Sequence, residues 1–326
     1  MAVAAATGSH RAEGRGVMAE DGIFGFDGTP SVAILANRSS GLNGRGAAVD
    51  AIVSTLSRFG VYPRIFMARG GKLAEAIAAC KAQAPDVVVV TGGDGTILAV
   101  AEAFLGTPTI IAVVPQGTVN QLARDLLIPL LPDAAIEALV SGEVRAIDVG
   151  SVNGQAFLCT SVIGPLAKLQ RYREEARGRL AATLVSFLRT GWKAMMLRPA
   201  RLAIRDGASA WTETTRGVIV SVNPLAEIVS RIPFRAKLDD GLLAVYAARE
   251  SGYFTLFRLA AAIFSGTARQ APTIGYHETA RLTIDTNRPF LTILNDGEIR
   301  RVSTPLRFEV MPRALRVVVP RPVAPG

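Results

Sequence analysis

The sequence predicts two regions of different fold class, an α/β region with a parallel sheet followed by an antiparallel, β-rich region. The chain has 326 residues, which exceeds the usual size of a single domain. Between residues 31 and 148, apolar runs alternate with helix-compatible segments, and this alternation is typical of a parallel sheet covered by helices. After Asp148 the apolar runs are joined mainly by turn residues, as in an antiparallel sandwich.

The individual elements follow from the period and length of each apolar run. The first region is predicted to run through strand VAILAN, helix AAVDAIVSTLSRFG, strand YPRIFMA, helix KLAEAIAACKAQ, strand VVVVTGG, helix ILAVAEAFL, strand TIIAVVP and helix VNQLARDLL. The most apolar of these strands suit burial on both faces. The strands predicted in the second region are VGSVNGQAFLCTSVIG, ARLAIRD, RGVIVSVN, LLAVYAA, ARLTIDT, FLTILNDG and LRFEVM.

The loop in DVVVVTGGDGT, residues 86–96, is the most informative motif. Gly92, Gly93 and Gly95 can take positive φ and carry no Cβ, so backbone N–H groups can surround a phosphate at a helix start, with Asp94 in the same loop. The loop matches neither the Walker pattern nor the dinucleotide pattern, because Leu98 stands where the third glycine of the latter belongs. A tight strand-to-helix turn without a ligand is the alternative.

A second loop of similar build follows the next strand, in TIIAVVPQGTVNQLARDLLIP. Asn120 and Arg124 are four residues apart, so both are expected to project from one face of the first helical turns. Two neighbouring loops of this kind would border one crevice at the carboxyl ends of the strands. Alternatively, Thr118 is a helix cap and Arg124 a solvated surface residue.

Together the two loops resemble the diacylglycerol-kinase catalytic family, which comprises soluble lipid kinases related to sphingosine and ceramide kinases. NAD kinases share a related GGDG loop, but P-x-G-T-x-N-x-x-A-R resembles the lipid-kinase branch. The resemblance continues upstream in VAILANRSSG and downstream in AKLDDGLLAVY and ILNDGEIRRVSTPLRFEVMPRALRVVVP. It covers roughly residues 31 to 320.

The resemblance implies an ATP-binding α/β domain over residues 31–147, akin to NAD and diacylglycerol kinases, and an antiparallel β-sandwich lipid domain over 148–312. Residues 313–322 are implied to return to the first domain, with a cleft between the two. Residues 1–30 are rich in alanine, glycine and mixed charge, and we interpret them as a disordered extension.

The family pattern implies an ATP site made of three segments. Its residues are Asn37, Ser39, Ser40 and Gly41, then Gly92, Gly93, Asp94, Gly95 and Thr96, then Gly117, Thr118, Asn120 and Arg124. The sequence departs from the pattern where Arg38 replaces the usual proline and where Gln121 replaces a frequent aspartate. The second departure leaves a polar role for residue 121 in doubt.

The segment LNDGEI carries the implied catalytic residues. By resemblance Glu298 accepts the proton of the lipid hydroxyl, and Asp296 helps to organise the metal and its water network. If the strand stays extended, Asp296 and Glu298 project to one face, and Gly297 allows close approach of the substrate. The alternative is a solvated hairpin turn, since Asn-Asp-Gly is an ordinary turn sequence.

The segment KLDDGLL is the implied Mg²⁺ site. The family pattern places the ion at Asp240, with the positions of Lys237 and Leu242 contributing through backbone carbonyls only, because an ammonium repels a cation and leucine has no donor. Such a site is either structural or catalytic. A plain turn between strands is an equally weighted alternative.

The net charge of +9 and the pI of about 10.1 indicate an acidic partner. Residues 168–205 carry ten Lys or Arg against Glu174 and Glu175, interleaved with apolar residues, which suits the surface of an anionic membrane. A helix packed by its apolar face on the lipid domain is the commoner alternative. Nucleic acid is not expected as a partner, because no recognition motif is present and only 6% of residues are aromatic.

These observations predict an ATP- and Mg²⁺-dependent lipid kinase, cytoplasmic and peripherally bound to the membrane, with diacylglycerol as the first candidate substrate. Another lipid alcohol (a sphingoid base, ceramide or phosphatidylglycerol) is the main alternative, followed by NAD kinase activity or an inactive, basic membrane-binding module. Asp94, Asp240, Asp296 and Glu298 are all present, which favours an active enzyme. The oligomeric state is open, a dimer included.

Overall fold

The computed structural model describes residues 23–26, 28–37, 47–164, 200–206, 209–215, 217–227, 234–249 and 255–321. The first region alternates strands and helices as predicted. Its elements are β1 (Val32–Asn37), α1 (Ala47–Arg58), β2 (Arg64–Ala68), α2 (Leu73–Lys81), β3 (Val87–Gly92), α3 (Asp94–Phe104), β4 (Ile110–Pro115), α4 (Gln121–Asp125) and α5 (Pro132–Val140).

The strands of the first region form a parallel sheet in the order β2-β1-β3-β4. Every residue of β3 and β4 is buried, as their uninterrupted apolar sequences require of strands covered on both faces. The parallel α/β class is therefore confirmed. Helix α5 was not among the predicted elements; it begins with Pro132, which is tolerated in the first helical turn.

The second region consists mainly of antiparallel strands. Its elements are β5 (Glu143–Val152), β6 (Gln155–Phe157), β7 (Thr160–Ile163), β8 (Ala200–Asp206), β9 (Ser209–Thr215), β10 (Val218–Val222), β11 (Leu243–Ala248), α6 (Thr255–Phe264), β12 (Ile274–Thr279), β13 (Arg281–Asp285), β14 (Phe290–Asn295), β15 (Glu298–Ser303) and β16 (Leu306–Val319).

Two sheets enclose the core of this region. One is an antiparallel sheet in the order β12-β11-β10-β7-β14-β15, and the other contains β9, β8, β13 and the first half of β16. Alternate residues of the strands point inward, so that Val220, Val245, Ile284 and Phe308 belong to one buried cluster. The predicted antiparallel β-rich class is also confirmed.

Strand β16 links the two regions. Its first half pairs antiparallel with β13, and near its end Arg316 and Val317 pair in parallel with Ile110 and Ile111 of β4. The register along its β5 partner shifts between Met311 and Leu315. This pairing attaches the end of the described chain to the first sheet, as the resemblance implied, while the domain boundaries stay predictions.

Three predicted segments fall wholly or partly outside the description. These are residues 1–22 and 27 of the extension interpreted as disordered, the loop with Ser39, Ser40 and Gly41, and residues 168–199 of the basic stretch. The remaining residues of that stretch belong to β8, where Arg201 and Arg205 are exposed and Leu202 and Ile204 are buried. Among the helices that are described, none combines the length and apolar character that crossing a membrane requires.

Candidate active site

The glycines of the first loop allow neighbouring atoms to lie close to its backbone. Strand β3 ends at Gly92, and Gly93 precedes the first residue of α3 in an extended conformation. Gly92, Gly93 and Gly95 all lack the positive φ that was allowed for them. A Cβ on Gly92 would instead lie 2.8 Å from Thr96 Cβ, so any larger residue at position 92 would force its neighbours to move.

The second loop packs directly on the first. The Gln116 N–H donates to the Gly92 carbonyl at 2.9 Å, and a Cβ on Gly117 would lie 3.0 Å from the Cα of Gly93. Backbone meets backbone at this point, which only glycine permits. The two loops therefore form one continuous wall at the carboxyl ends of β3 and β4.

Asp94 holds this wall together. Its carboxylate accepts the Asn120 N–H at 3.0 Å and the Gln121 N–H at 2.8 Å, at the start of α4. Burial raises the pKa of the Asp94 carboxyl, while these backbone hydrogen bonds oppose the rise. Residue 121, whose polar role was in doubt, thus takes part through its backbone.

The prediction that Asn120 and Arg124 share one helical face is wrong. Asn120 precedes α4 with a φ of 53°, and its side chain turns back to accept the Gly117 N–H at 2.7 Å and to donate to the Gly117 carbonyl at 3.0 Å. Arg124 donates from Nε to the Val119 carbonyl at 2.9 Å. Asn120 therefore fixes the loop conformation, and its left-handed backbone removes it from the helix.

The predicted phosphate-binding segments come together at one edge of the sheet. Asn37 ends β1 and donates to the Thr96 hydroxyl at 3.1 Å, which joins the first segment to the start of α3. Thr96 is buried, whereas Thr118 is exposed at the rim of the second loop.

The extended geometry expected for Asp296 and Glu298 is wrong. Strand β14 ends at Asn295 and β15 begins at Glu298, and between them Asp296 and Gly297 take φ values of 46° and 89°. Two consecutive residues of positive φ make the tight hairpin turn for which Asn-Asp-Gly is suited. The two carboxylates therefore do not project from one strand face.

The Asp296 carboxylate binds backbone. It accepts the N–H groups of Leu158, Cys159 and Thr160, at 2.8 Å and 2.9 Å for the last two. The residue is only partly buried because its backbone forms the turn, but burial of its carboxyl raises the pKa, with the three hydrogen bonds opposing. In this structure the carboxylate of Asp296 anchors the hairpin through these three backbone hydrogen bonds.

The exposed side chain of Glu298 reaches the first loop. A Cβ on Gly95 would lie 2.6 Å from Glu298 Oε1, so the carboxylate rests against the backbone of the glycine-rich loop. A carboxylate from the second region thus stands beside the wall that the two loops of the first region form. This is the position from which a general base could serve a hydroxyl group that approaches the loop.

A buried ion pair ties α4 to the second region. The Arg235 guanidinium donates to Asp125 Oδ2 from Nε at 2.9 Å and from Nη2 at 2.7 Å, and Nη1 donates to the carbonyls of Leu158 and Val222 at 2.8 Å and 3.0 Å. Burial, the largest single influence, would lower the pKa of Arg235, but Asp125, Cys159 and Asp296 together outweigh burial and raise the pKa. Leu158 also donates to Asp296, so the contacts run from α4 to the hairpin of Glu298.

The Asp240 turn is built on another carboxylate. Asp148 accepts N–H groups from Gly241 at 2.7 Å and Arg313 at 2.8 Å, and the Asn223 side-chain amide at 3.0 Å. Lys237 Nζ lies 3.6 Å from Asp240 Oδ1.

These donors fit Mg²⁺ only in part. Asp240 supplies one carboxylate of the hard type that the ion prefers, but the Lys237 ammonium competes for it and the Leu242 carbonyl already accepts the Asn223 N–H at 2.8 Å. Within the described residues no cluster of three His, Cys, Asp or Glu could hold a metal ion. The assignment of Lys237, Asp240 and Leu242 therefore stays a prediction.

Two family models match successive parts of the chain. The diacylglycerol kinase catalytic domain matches residues 31–152, and the YegS C-terminal NAD kinase beta sandwich-like domain matches residues 181–319. The chain belongs to the diacylglycerol-kinase catalytic family. It is a lipid kinase.

Relatives of known name agree with this assignment. The diacylglycerol kinase of Mycobacterium tuberculosis (strain ATCC 25618 / H37Rv) is 26% identical over 298 residues, which cover 86% of this chain and 93% of that protein. That of Bacillus subtilis (strain 168) is 26% identical over 242 residues, covering 72% and 78%. A solved diacylglycerol kinase structure from Bacillus anthracis shares the fold, with a TM-score of 0.67 at 19% identity, covering 89% of this chain and 97% of that one.

Three residues that organise the kinase site were missed in the sequence. Asp125, Asp148 and Arg235 are all buried, and their partners are distant in the chain. The one local signal was a charged residue inside an apolar run, as at Asp125 in ARDLLIP. Such a residue must be paired when it is buried, but the sequence does not name the partner.

A cavity of about 510 Å³ in the kinase lies away from this site. It opens between the sheets and is lined by Ile204, Val245, Ala247, Arg249, Tyr276 and His277. Most of these residues lie on or beside β11 and β12, at the opposite edge of the sheet from β15 and Glu298. The cavity is therefore separate from the place where the hydroxyl group would meet the phosphate.

Proposed function

We propose that this kinase transfers the γ-phosphoryl group of ATP to the hydroxyl of a membrane lipid, with diacylglycerol as substrate and phosphatidic acid as product. The hydroxyl oxygen attacks the γ-phosphorus, the bond to the β–γ bridging oxygen breaks, and ADP leaves. The hydroxyl proton passes to the Glu298 carboxylate.

The contact between Glu298 and Gly95 carries this proposal. Phosphoryl transfer asks little covalent work of a protein, which must mainly position the acceptor and the phosphate in line. A carboxylate that rests on a glycine-rich loop is within reach of any hydroxyl brought to a phosphate held by that loop. The turn at Asp296 and Gly297, fixed by three backbone hydrogen bonds, sets the direction of Glu298.

Phosphate binding is assigned to the backbone of the two loops. Helix α3 has 11 residues and begins at Asp94, so the positive end of its dipole lies at the bend where the loops meet. The Arg124 guanidinium, half-buried beside the second loop, adds a cation at the wall.

Mg²⁺ is expected to enter with ATP. When bound, the ion neutralises phosphate oxygens and so favours attack by the hydroxyl. Asp240 and the carbonyls of Lys237 and Leu242 are its proposed protein ligands. The role of the protein side chains in the transfer itself is to orient the acceptor and to take its proton.

The substrate is tested with labelled ATP, Mg²⁺ and a panel of lipid alcohols in mixed micelles. We expect label in phosphatidic acid when diacylglycerol is present, and much less with a sphingoid base, ceramide or phosphatidylglycerol. Exclusive labelling of another lipid alcohol would replace diacylglycerol in the proposal. Absence of both ATP binding and lipid labelling would refute it.

The basic stretch 168–205 is proposed to contact an anionic membrane. Replacing Arg171, Arg173, Arg177 and Arg179 with Gln is expected to weaken co-sedimentation with anionic vesicles at low salt, because salt screens charge attraction beyond about 10 Å at 0.1 M. Binding to uncharged vesicles serves as the control and should not change. If binding to anionic vesicles were equally unaffected, these arginines would be ordinary surface residues.

A further inference from the structure

Three leucines after α4 are exposed to an unusual degree. Leu127, Leu130 and Leu131 have exposed fractions of 75%, 37% and 74%. Leu127 lies between Leu126 and Ile128, which are buried in the core of the first region, and Leu130 and Leu131 follow within three residues of Ile128. Because the buried residues fix the segment, the exposed leucines form an apolar tip that the fold holds outward. We call Leu127, Leu130 and Leu131 the leucine tip.

Leu127 also has an unfavourable backbone conformation, which does not benefit the stability of the fold. Helix α4 ends in a Schellman motif, in which Ile128 N–H donates to the Ala123 carbonyl at 2.8 Å and Leu127 N–H to the Arg124 carbonyl at 3.0 Å. Leu127 occupies the position that usually holds glycine, with a φ of 57°. A leucine is sterically disfavoured in this left-handed conformation, and its exposed side chain regains nothing by packing.

The leucine tip is close to the site. Helix α4 has five residues, a length of about 7.5 Å, and it begins where Asn120 and Gln121 bond to Asp94 of the first loop. Its last residue, Asp125, pairs with Arg235, and the tip begins two residues later. A kinase whose substrate lies in a bilayer must bring this side of the molecule to the lipid surface.

We propose that the leucine tip inserts into the acyl-chain region of a membrane surface and seats the kinase on its substrate. Strain and exposure at functional positions are retained when a partner uses them, and clustered exposed leucines suit the apolar layer beneath lipid headgroups. The proposal rests on the proposed action on a membrane lipid. It is independent of residues 168–199, whose attraction would be electrostatic.

The test uses the full chain with Leu127→Gly and Leu131→Ser combined. Co-sedimentation with uncharged phosphatidylcholine vesicles is expected to weaken about tenfold, from the loss of buried apolar area. The difference in vesicle binding between the wild type and the leucine variant should persist at high salt. The effect of the arginine substitutions, by contrast, should disappear at high salt. The melting temperature should not fall, because glycine accepts the φ of residue 127 without strain. Turnover of diacylglycerol in vesicles should fall in parallel, while turnover of a short-chain diacylglycerol in free solution stays unchanged.

The matched control is Tyr62→Ser. Tyr62 is 81% exposed and precedes β2, which lies three strands and about 14 Å across the sheet from β4. This variant should bind vesicles as the wild type does. The proposal would be overturned if the leucine variant bound vesicles as tightly as the wild type. It would also be overturned if the wild type were a dimer in lipid-free solution and the leucine substitutions made it a monomer without weakening vesicle binding. If no lipid is phosphorylated but binding still depends on the leucines, the proposed substrate fails and the leucine tip stands.

Discussion

Replacing Glu298 with glutamine is expected to lower kcat by about 10²- to 10⁴-fold, the range for loss of a general base. Glutamine keeps the size of the side chain and its contact with Gly95 but does not accept a proton at neutral pH. ATP affinity should remain close to that of the wild type, because no phosphate-binding group is removed. Steady-state kinetics with the lipid varied, together with equilibrium ATP binding, measure the two effects separately.

Gly95→Ala offers an independent check on the same carboxylate. The added Cβ would lie 2.6 Å from Glu298 Oε1, and because that atom ends a flexible side chain, Glu298 should move rather than the backbone. We expect kcat to fall while the melting temperature is retained. In the double variant the losses should not add, since both act through one group. An unchanged kcat in Glu298→Gln would contradict the assignment of the base.

The Asp125–Arg235 pair is expected to give the largest effect on stability. Both side chains are almost fully buried, at 0% and 1% exposure. Arg235→Met leaves the Asp125 carboxylate without its partner, which should lower the free energy of unfolding by about 3–5 kcal/mol. Denaturant unfolding measures this loss. Combining Asp125→Leu with Arg235→Met removes both charges, so most of the stability should return.

Arg145→Met is the matched control for this substitution. Arg145 pairs with Glu143 on the surface, with exposed fractions of 58% and 39%, so its loss should change the unfolding free energy by less than about 1 kcal/mol. The variant that combines Asp125→Leu with Arg235→Met also lacks the guanidinium donors to the Leu158 and Val222 carbonyls. We therefore expect its kcat to stay low although its stability recovers. Equal destabilisation by Arg145→Met and Arg235→Met would show that the buried pair has no special weight.

Much of the fold was predictable because its signals are local. The alternation of apolar runs with helical periods in the first region gave β1 to β4 and the helices between them, and VAILAN coincides with β1. Helix α4 is shorter than the predicted VNQLARDLL, because Asn120 takes a left-handed backbone and the Schellman motif ends the helix at Asp125, with Leu126 as its C-cap. Strand β15 was hidden because its sequence, EIRRVS, is strongly polar for a strand.

The site itself was predictable in its components and less so in their roles. Glycine spacing and a family pattern selected Gly92 to Thr96, Gly117 to Asn120 and Glu298. Only the structure showed why glycine is needed at these positions, because a Cβ on Gly95 would contact Glu298 and a Cβ on Gly117 would contact Gly93. Asp296 was expected to organise a metal, and its contacts with the N–H groups of Leu158 to Thr160 could not be read from a turn sequence.

The sequence by itself determined the alternation of β1 to β4 with helices, the two glycine-rich loops and membership of a lipid-kinase family, because these depend on patterns within a few residues. The tertiary structure decided that a carboxylate from the second region rests on Gly95, that Asp296 anchors a hairpin, and that Asp125 finds Arg235. The partners Asp125 and Arg235 are 110 residues apart, and Asp296 and Leu158 are 138 apart. The first pair forms only when the two regions pack together and the second only when distant strands of the β-rich region meet, and local sequence carries no record of either packing.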